Sequence, residues 1–522
     1  MIFKGPYPDV EIPVTPLTPL VLHQADKLPN KPALIDGPTG RTITYSELVT
    51  SVTAVAANLS QRGFRKGDVF GILSPNTPEY AIAIHGVATL GGIVTPINPL
   101  YTSYEIAQQL KDASARFIVT AATCVDKVKE AARETNVEEI FVFGEAPGAT
   151  SFNTLLQPNG PAPEVDIDPL HDLVVLPYSS GTTGLPKGVM LTHHNLVANI
   201  KQMEGLQYFA ESDTLICVLP LFHIYGLVVV LNMGLYTGST VVTMPRFELE
   251  SFLKAAQDYE VTLAHLVPPI VLSLSKNPIV DNYSLPKLKC IFSGAAPLGE
   301  DLTRACNQRL NCQIRQGYGM TESSPVTHSS PAPPLPIKYG SVGVAAPNTE
   351  VKIADLESGK ALGPNERGEV CVRGPQVMRG YLNRPDATAQ TIDADGWLHT
   401  GDIGYADEDS HFFIVDRAKE LIKYKGFQVP PAELEALLLT HPCVADVAVI
   451  PYPDDEAGEV PKAIVVLKQE TDPEAILSFV ADRVAPHKKI RHLEFVDSIP
   501  KSPSGKILRR VLVERERTRN AP

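Results

Sequence analysis

The chain has 522 residues, 44% of them hydrophobic and 20% charged, and a formal net charge of -13. A chain of this length exceeds what one hydrophobic core usually serves, so two or more domains are expected. No basic stripe stands against the acidic balance, which excludes a role resting on nucleic-acid phosphates.

The first residues, MIFKGPYPDVEIP, lack a charged segment followed by an apolar core, and no secretory signal is read in them. Thr44 and Glu47 then form a capping box, and Leu48, Val52, Val55 and Leu59 recur on one face until Gly63. That pattern predicts an amphipathic helix. The apolar run Val69 to Leu73 reads as a strand, NTPEY opens a second helix, and IVTPIN is again strand-like. Alternation of this kind predicts an α/β chain with mostly parallel sheets covered by helices.

Residues 218–238, VLPLFHIYGLVVVLNMGLYTG, carry no formal charge over a length that could cross a bilayer. Pro220, His223, Asn232 and the glycines argue instead for a buried helix lining a pocket. Proline-rich punctuation falls at 158–169 and 329–340. After DRAKE (416–420) the character changes: Pro431 opens a helix, VADVAVI and AIVVLK read as strands, and Asp472 with Pro473 starts another helix. A small α+β domain is expected there. The seven cysteines show no paired spacing, which predicts free thiols and a cytoplasmic location. The C-terminal TRNAP carries no peroxisomal tripeptide.

Residues 178–193, YSSGTTGLPKGVMLTH, combine hydroxyls, glycines and a lysine in a phosphate-holding composition. The spacing departs from the Walker loop, because Pro186 precedes Lys187 and Gly188 follows it. By itself the run is equally a Ser/Thr/Gly-rich turn. It is followed in order by LFHIYG (221–226), SGAAPLG (293–299), QGYGMTE (316–322), GEVCVRG (368–374), DGWLHTGD (395–402), DRAKELIKYKGFQV (416–429) and PKSPSGK (500–506).

This ordered set resembles the acyl-adenylate-forming, AMP-binding enzymes over nearly the whole chain. Within them the likeness is to the 4-coumarate:CoA ligases, through SSGTTGLPKGV, GEVCVRG, HIYGL and KYKGFQV. The resemblance implies an ATP-dependent acid:CoA ligase: acyl-AMP and pyrophosphate form first, then acyl-CoA and AMP. It also implies a large N-terminal domain of several subdomains (1–416), a hinge at 417–419 centred on Lys419, and a small mobile C-terminal domain (420–522).

The resemblance also implies the site. Ser179, Ser180, Gly181, Thr182, Thr183 and Lys187 would cradle the β- and γ-phosphates, Thr321 would contact the α-phosphate, and Glu322 would help to hold Mg²⁺. Tyr318 would stack on adenine against Gly294, Ala295, Gln316 and Gly317, while Asp402 and Arg417 would take the ribose. His223 would orient the substrate carboxylate, and Lys506 would bridge it to the α-phosphate. Lys423 and Gln428 would support the adenylate, and rotation of the small domain would bring Lys425 and Gly426 to coenzyme A.

The acid pocket would be lined by Ile224, Tyr225, Val229, Ser293, Gly294, Gly317, Gly319, Pro325 and Val326. Val229 stands where plant enzymes often carry serine, and Phe292 where many have a basic residue; both make the pocket more apolar. Hydroxycinnamates are the expected acids, with a medium- or long-chain fatty acid, or a separate acyl carrier protein as acceptor, as alternatives. No partner beyond ATP, the acid and coenzyme A is implied, and no membrane span.

Overall fold

The computed structural model describes residues 1–179, 186–425, 427–454, 456–502 and 505–519, with Phe427 and Gln428 described by their backbone alone. The capping box at Thr44 and Glu47 forms as read, and the helix Tyr45–Gln61 buries Leu48, Val52, Val55 and Leu59. Val69–Leu73 is buried at every position, as a parallel strand covered on both faces must be.

That strand lies in a nine-stranded sheet with Ile93–Ile97, Ala115–Ala121 and Glu139–Phe143, all paired in parallel. One edge turns antiparallel: Lys187–Thr192 pairs with Leu173–Val175, Tyr178–Ser179 and Gly380–Tyr381. A second nine-stranded sheet has a parallel centre made of Pro32–Asp36, Thr240–Thr243, Thr214–Cys217, Leu263–Leu266, Cys290–Ser293 and Gln313–Gly319. A single continuous apolar cluster joins residues of both sheets, among them Phe70, Val94, Ile216 and Leu266.

A four-stranded antiparallel sheet, Glu350–Ala354, Gly368–Arg373, Leu398–Ala406 and Phe412–Arg417, follows. The last sheet holds Ile422–Tyr424, Phe427–Val429, Val444–Asp454, Gly458–Leu467 and His492–Phe495. It packs its own core of Ile422, Leu434, Val447, Val465 and Ile476. Pro431–Leu439 and the Asp472-capped Pro473–Ala481 are its helices.

The charge-free stretch at 218–238 does bury a helix, but a short one. Tyr225–Asn232 is a π-helix that continues as the α-helix Met233–Tyr236. No helix among the described residues is long and apolar enough to cross a membrane.

Candidate active site

Open α/β sheets bind ligands beyond the carboxyl ends of their parallel strands. Three of the quoted motifs stand there: SGAAPLG runs from the end of Cys290–Ser293, QGYG is the end of Gln313–Gly319, and LFHIYG follows Thr214–Cys217. Glycines let these segments crowd. A Cβ on Gly319 would fall 1.8 Å from the Pro325 carbonyl oxygen, and one on Gly226 would fall 2.4 Å from that of Pro220. One on Gly294 would meet the Tyr225 ring at 2.8 Å. A methyl group would force the backbone to move at Gly319 and Gly226, and the Tyr225 ring to shift at Gly294.

On the nucleotide side, the Tyr318 phenol donates to Asp402 Oδ2 at 2.6 Å, and Arg417 Nε stands 3.2 Å from Oδ1. Burial raises the pKa of Asp402, while Arg417 and Tyr318 oppose that rise. The Tyr318 ring is tilted by 52° against that of His328, at 5.6 Å between centroids. Gln316 uses its amide on both backbone groups of Leu298, at 3.0 and 3.2 Å, and so holds the SGAAPLG turn in place. Ala295 in that turn adopts a left-handed backbone, φ +70°.

Glu322 is 5% exposed, and its Oε1 accepts from Ser179 Oγ at 2.8 Å and from the Tyr381 phenol at 2.9 Å. Among the described residues Oε2 carries no hydrogen bond, so the carboxylate keeps a hard anionic oxygen of the kind that Mg²⁺ held by one carboxylate and phosphates requires. Lys187 lies over the Tyr381 ring, 4.2 Å from its centroid. Tyr381, in MRGYLN, therefore links the carboxylate to the loop lysine. Sequence reasoning passed over it because a tyrosine outside the quoted motifs carries no local signal.

His223 accepts the Tyr225 N–H on Nδ1 at 3.3 Å, which leaves Nε2 to carry the proton of a neutral ring. Burial pushes its pKa down to about 4, and the nearby Lys506 ammonium pushes the same way. Lys506 thus reaches the site although it sits in the C-terminal segment. Its backbone N–H donates to Ser502 Oγ at 3.1 Å, and Gly505 beside it takes φ +78°. A Cβ on Gly505 would lie 3.2 Å from Val267 Cγ2, so the turn is seated on the second large sheet. The Lys506 side chain stays exposed to water, while partial desolvation by the protein around it lowers its pKa and Arg417 lowers it further. Asp402, Glu322 and Glu420 act in the opposite sense. Glu420, in the DRAKE run, also pairs with Arg509, a role its sequence position did not announce.

The residues expected at the acid pocket are largely apolar. Ile224 and Val229 are buried, and Ser293 is buried with an unpartnered hydroxyl. The Tyr225 phenol makes a long contact, 3.4 Å, to the Phe292 carbonyl. Phe292 stacks on His265 at 5.0 Å and 7°, and Phe209 lies parallel to both. Gly317, Pro325 and Val326 stand at the adjoining strand ends.

Other expected residues stand elsewhere. Lys419, Lys423 and Lys425 are exposed, and Lys425 pairs with Glu456. Ser180, Gly181, Thr182, Thr183 and Gly426, and the side chain of Gln428, lie outside the described residues.

Residues 21–382 match the family model of the AMP-binding enzyme, and residues 433–506 match that of the AMP-binding enzyme C-terminal domain. The chain is 48% identical to 4-coumarate--CoA ligase 2 of Petroselinum crispum, over 98% of this chain and 96% of the relative. It is 46% identical to the 4-coumarate--CoA ligase of Vanilla planifolia over the same shares. Among solved structures, an anthranilate CoA ligase in complex with anthranoyl-AMP superposes with a TM-score of 0.91 at 27% identity, covering 98% of this chain and 99% of that one. ATP-bound MatB from Rhodopseudomonas palustris gives 0.87 at 29%, covering 95% and 98%.

Proposed function

From the premise that the chain belongs to the AMP-binding enzyme family, we propose that it joins 4-coumarate and related hydroxycinnamates to coenzyme A at the expense of ATP. In the first step a carboxylate oxygen attacks the α-phosphorus and pyrophosphate leaves. In the second, the coenzyme A thiolate attacks the carbonyl carbon and AMP leaves.

The observation that carries this reading is the convergence of Lys506 on Asp402, Arg417, Glu322 and His223. Two anions must approach each other in the first step, and an ammonium between them offsets the charge that builds in the transition state. Neutral His223 presents Nε2–H to the carboxylate. Asp402 accepts the ribose hydroxyls, and Tyr318 flanks the base. Mg²⁺, which Glu322 would help to hold, supplies charge neutralisation at the phosphates.

The attachment of the small domain supports a rotation between the steps. Lys276 reaches the Leu439 carbonyl only at 3.4 Å, and Lys276 faces Lys468 across the same contact. Like charges opposed across that contact favour its separation. Turning about Lys419 would withdraw Lys506 and bring Lys425 with Gly426 to the coenzyme A tunnel. On this reading 1–416 is the adenylation domain, 417–419 the hinge and 420–522 the mobile domain. The seven free cysteines support a reducing, cytoplasmic location.

The parallel wall of Phe209, His265 and Phe292, with Tyr225 edge-on to His265 at 6.0 Å, favours a flat aromatic acid over a flexible chain. The test is coenzyme A-dependent AMP release across cinnamates, benzoates and fatty acids. A higher kcat/KM for 4-coumarate than for octanoate is expected, and the reverse order overturns the substrate assignment.

A further inference from the structure

We propose that Glu369, Cys371 and His399 form a binding site for a thiophilic divalent cation of the zinc type, and that its occupancy loosens the neighbouring ribose site. The three residues belong to the antiparallel strands Gly368–Arg373 and Leu398–Ala406, where Cys371 stands directly opposite His399. Residues so paired present their side chains on one face of the sheet, and Glu369 joins them two positions along.

The donor atoms have the spacing such a cation needs. All three lie within 4.8 Å of one another, with Cys371 Sγ 3.5 Å from His399 Nδ1 and Nδ1 2.8 Å from Glu369 Oε2. Tetrahedral zinc with bonds of about 2.3 Å to sulfur and about 2.0 Å to nitrogen and oxygen separates S and N by roughly 3.5 Å, and N and O by roughly 3.3 Å. The S to N spacing is already met, and the carboxylate has to withdraw by only about 0.5 Å.

The surroundings fit as well. A metal-bound imidazole ordinarily donates its other N–H to a carboxylate, and His399 Nε2 stands 3.3 Å from Asp393 Oδ2. Asp393 in turn has Lys352 at 3.7 Å. The thiolate and the Glu369 carboxylate would neutralise the dication, leaving the Asp393 and Lys352 charges to balance each other. Cys371 is buried, while His399 and Glu369 keep part of their surface open to water, the side from which a cation enters and on which a fourth, water ligand fits. Binding exchanges the thiol proton for the cation, and the proton leaves to solvent.

Coupling follows from the second oxygen of Glu369. Oε1 accepts the Gly401 N–H at 2.9 Å, and Gly401 holds the left-handed turn, φ +71°, that precedes Asp402. The shift of the carboxylate that admits a cation disturbs this bond and loosens the turn that precedes Asp402. The coupling rests on the nucleotide assignment made above, whereas the binding of the cation does not.

The experiment titrates the full chain with Co²⁺ in the presence of Mg²⁺, in a Cys124→Ser background because Cys124 is the one cysteine that is not buried. One equivalent should produce a thiolate-to-cobalt charge-transfer band that is absent in Cys371→Ser. His399→Gln, which keeps the thiol, should weaken the band's midpoint at least tenfold. Zn²⁺ should raise KM for ATP several-fold in the parent and leave it unchanged in Cys371→Ser. Absence of the band, or its survival in Cys371→Ser, overturns the site. A Cys371-dependent band with an unmoved KM for ATP overturns the coupling.

Discussion

The Tyr318 phenol lies 2.6 Å from one oxygen of Asp402, and Arg417 stands 3.2 Å from the other, so a buried carboxylate is held by two groups from different strands. Asp402→Asn removes the charged acceptor. A hydrogen bond to a charged group is worth about 1.5–3 kcal/mol, so affinity for ATP should fall about 10- to 100-fold. KM for the acid should stay within about twofold. An equal loss for both substrates, read from paired saturation curves, would contradict the ribose assignment.

Lys506→Ala should cut pyrophosphate release by about 10²- to 10³-fold, the usual cost of removing one charge-stabilising group. Thioester formation from supplied acyl-AMP should survive, because Lys506 has no part in that step. Equal loss of both half-reactions would refute the two-conformation reading.

His223 is neutral over the working range, with burial holding it at about 4. The rate of adenylation should therefore show no histidine titration between about pH 6 and 8. His223→Gln, which keeps an N–H donor but loses the ring, should retain more activity than His223→Ala.

Burial also holds His85 and His193 at about 4 and His265 and His328 at about 3, all from an ordinary 6.5. As pH falls below 6.5 the unfolded chain takes up protons that the native chain refuses. Stability from these groups is complete above 6.5 and drains away toward pH 4. Tm should fall from pH 7 to pH 5, and His265→Phe should flatten that slope.

Gly294→Ala places a methyl group against the Tyr225 ring, 2.8 Å from Cε1. Relief requires the ring to tilt into the acid pocket. KM for 4-coumarate should rise about tenfold while KM for ATP changes little, an overpacking cost of about 1–3 kcal/mol. A matching rise for ATP would show that the Gly294 substitution disturbs both subsites and is not selective for the acid.

Local physics made much of this legible beforehand. The Thr44 capping box, the buried run Val69–Leu73 and the Asp472 cap each rest on neighbours within a few residues, so sequence pattern alone predicts them. The π-helix at Tyr225–Asn232 was not legible, because it depends on Gly226 meeting the backbone of Leu219 and Pro220. Tyr381, Glu420 and the wall of Phe209, His265 and Phe292 were hidden for the same reason: each gains its role from a strand or segment distant along the chain.

By itself, the amino-acid sequence indicated the class of chemistry through its ordered motifs, whose resemblance to the acyl-adenylate-forming enzymes no single run carries. Only the tertiary structure decided which cation stands beside Asp402, Arg417 and His223. Lys506 lies in an unremarkable Ser/Pro/Gly turn, and it gains the electrostatic company of Asp402, Arg417 and His223 only because the fold brings that turn, with Gly505 close to Val267, to the end of the second large sheet. Desolvation and Coulomb attraction depend on distance through space, which adjacency in sequence does not encode.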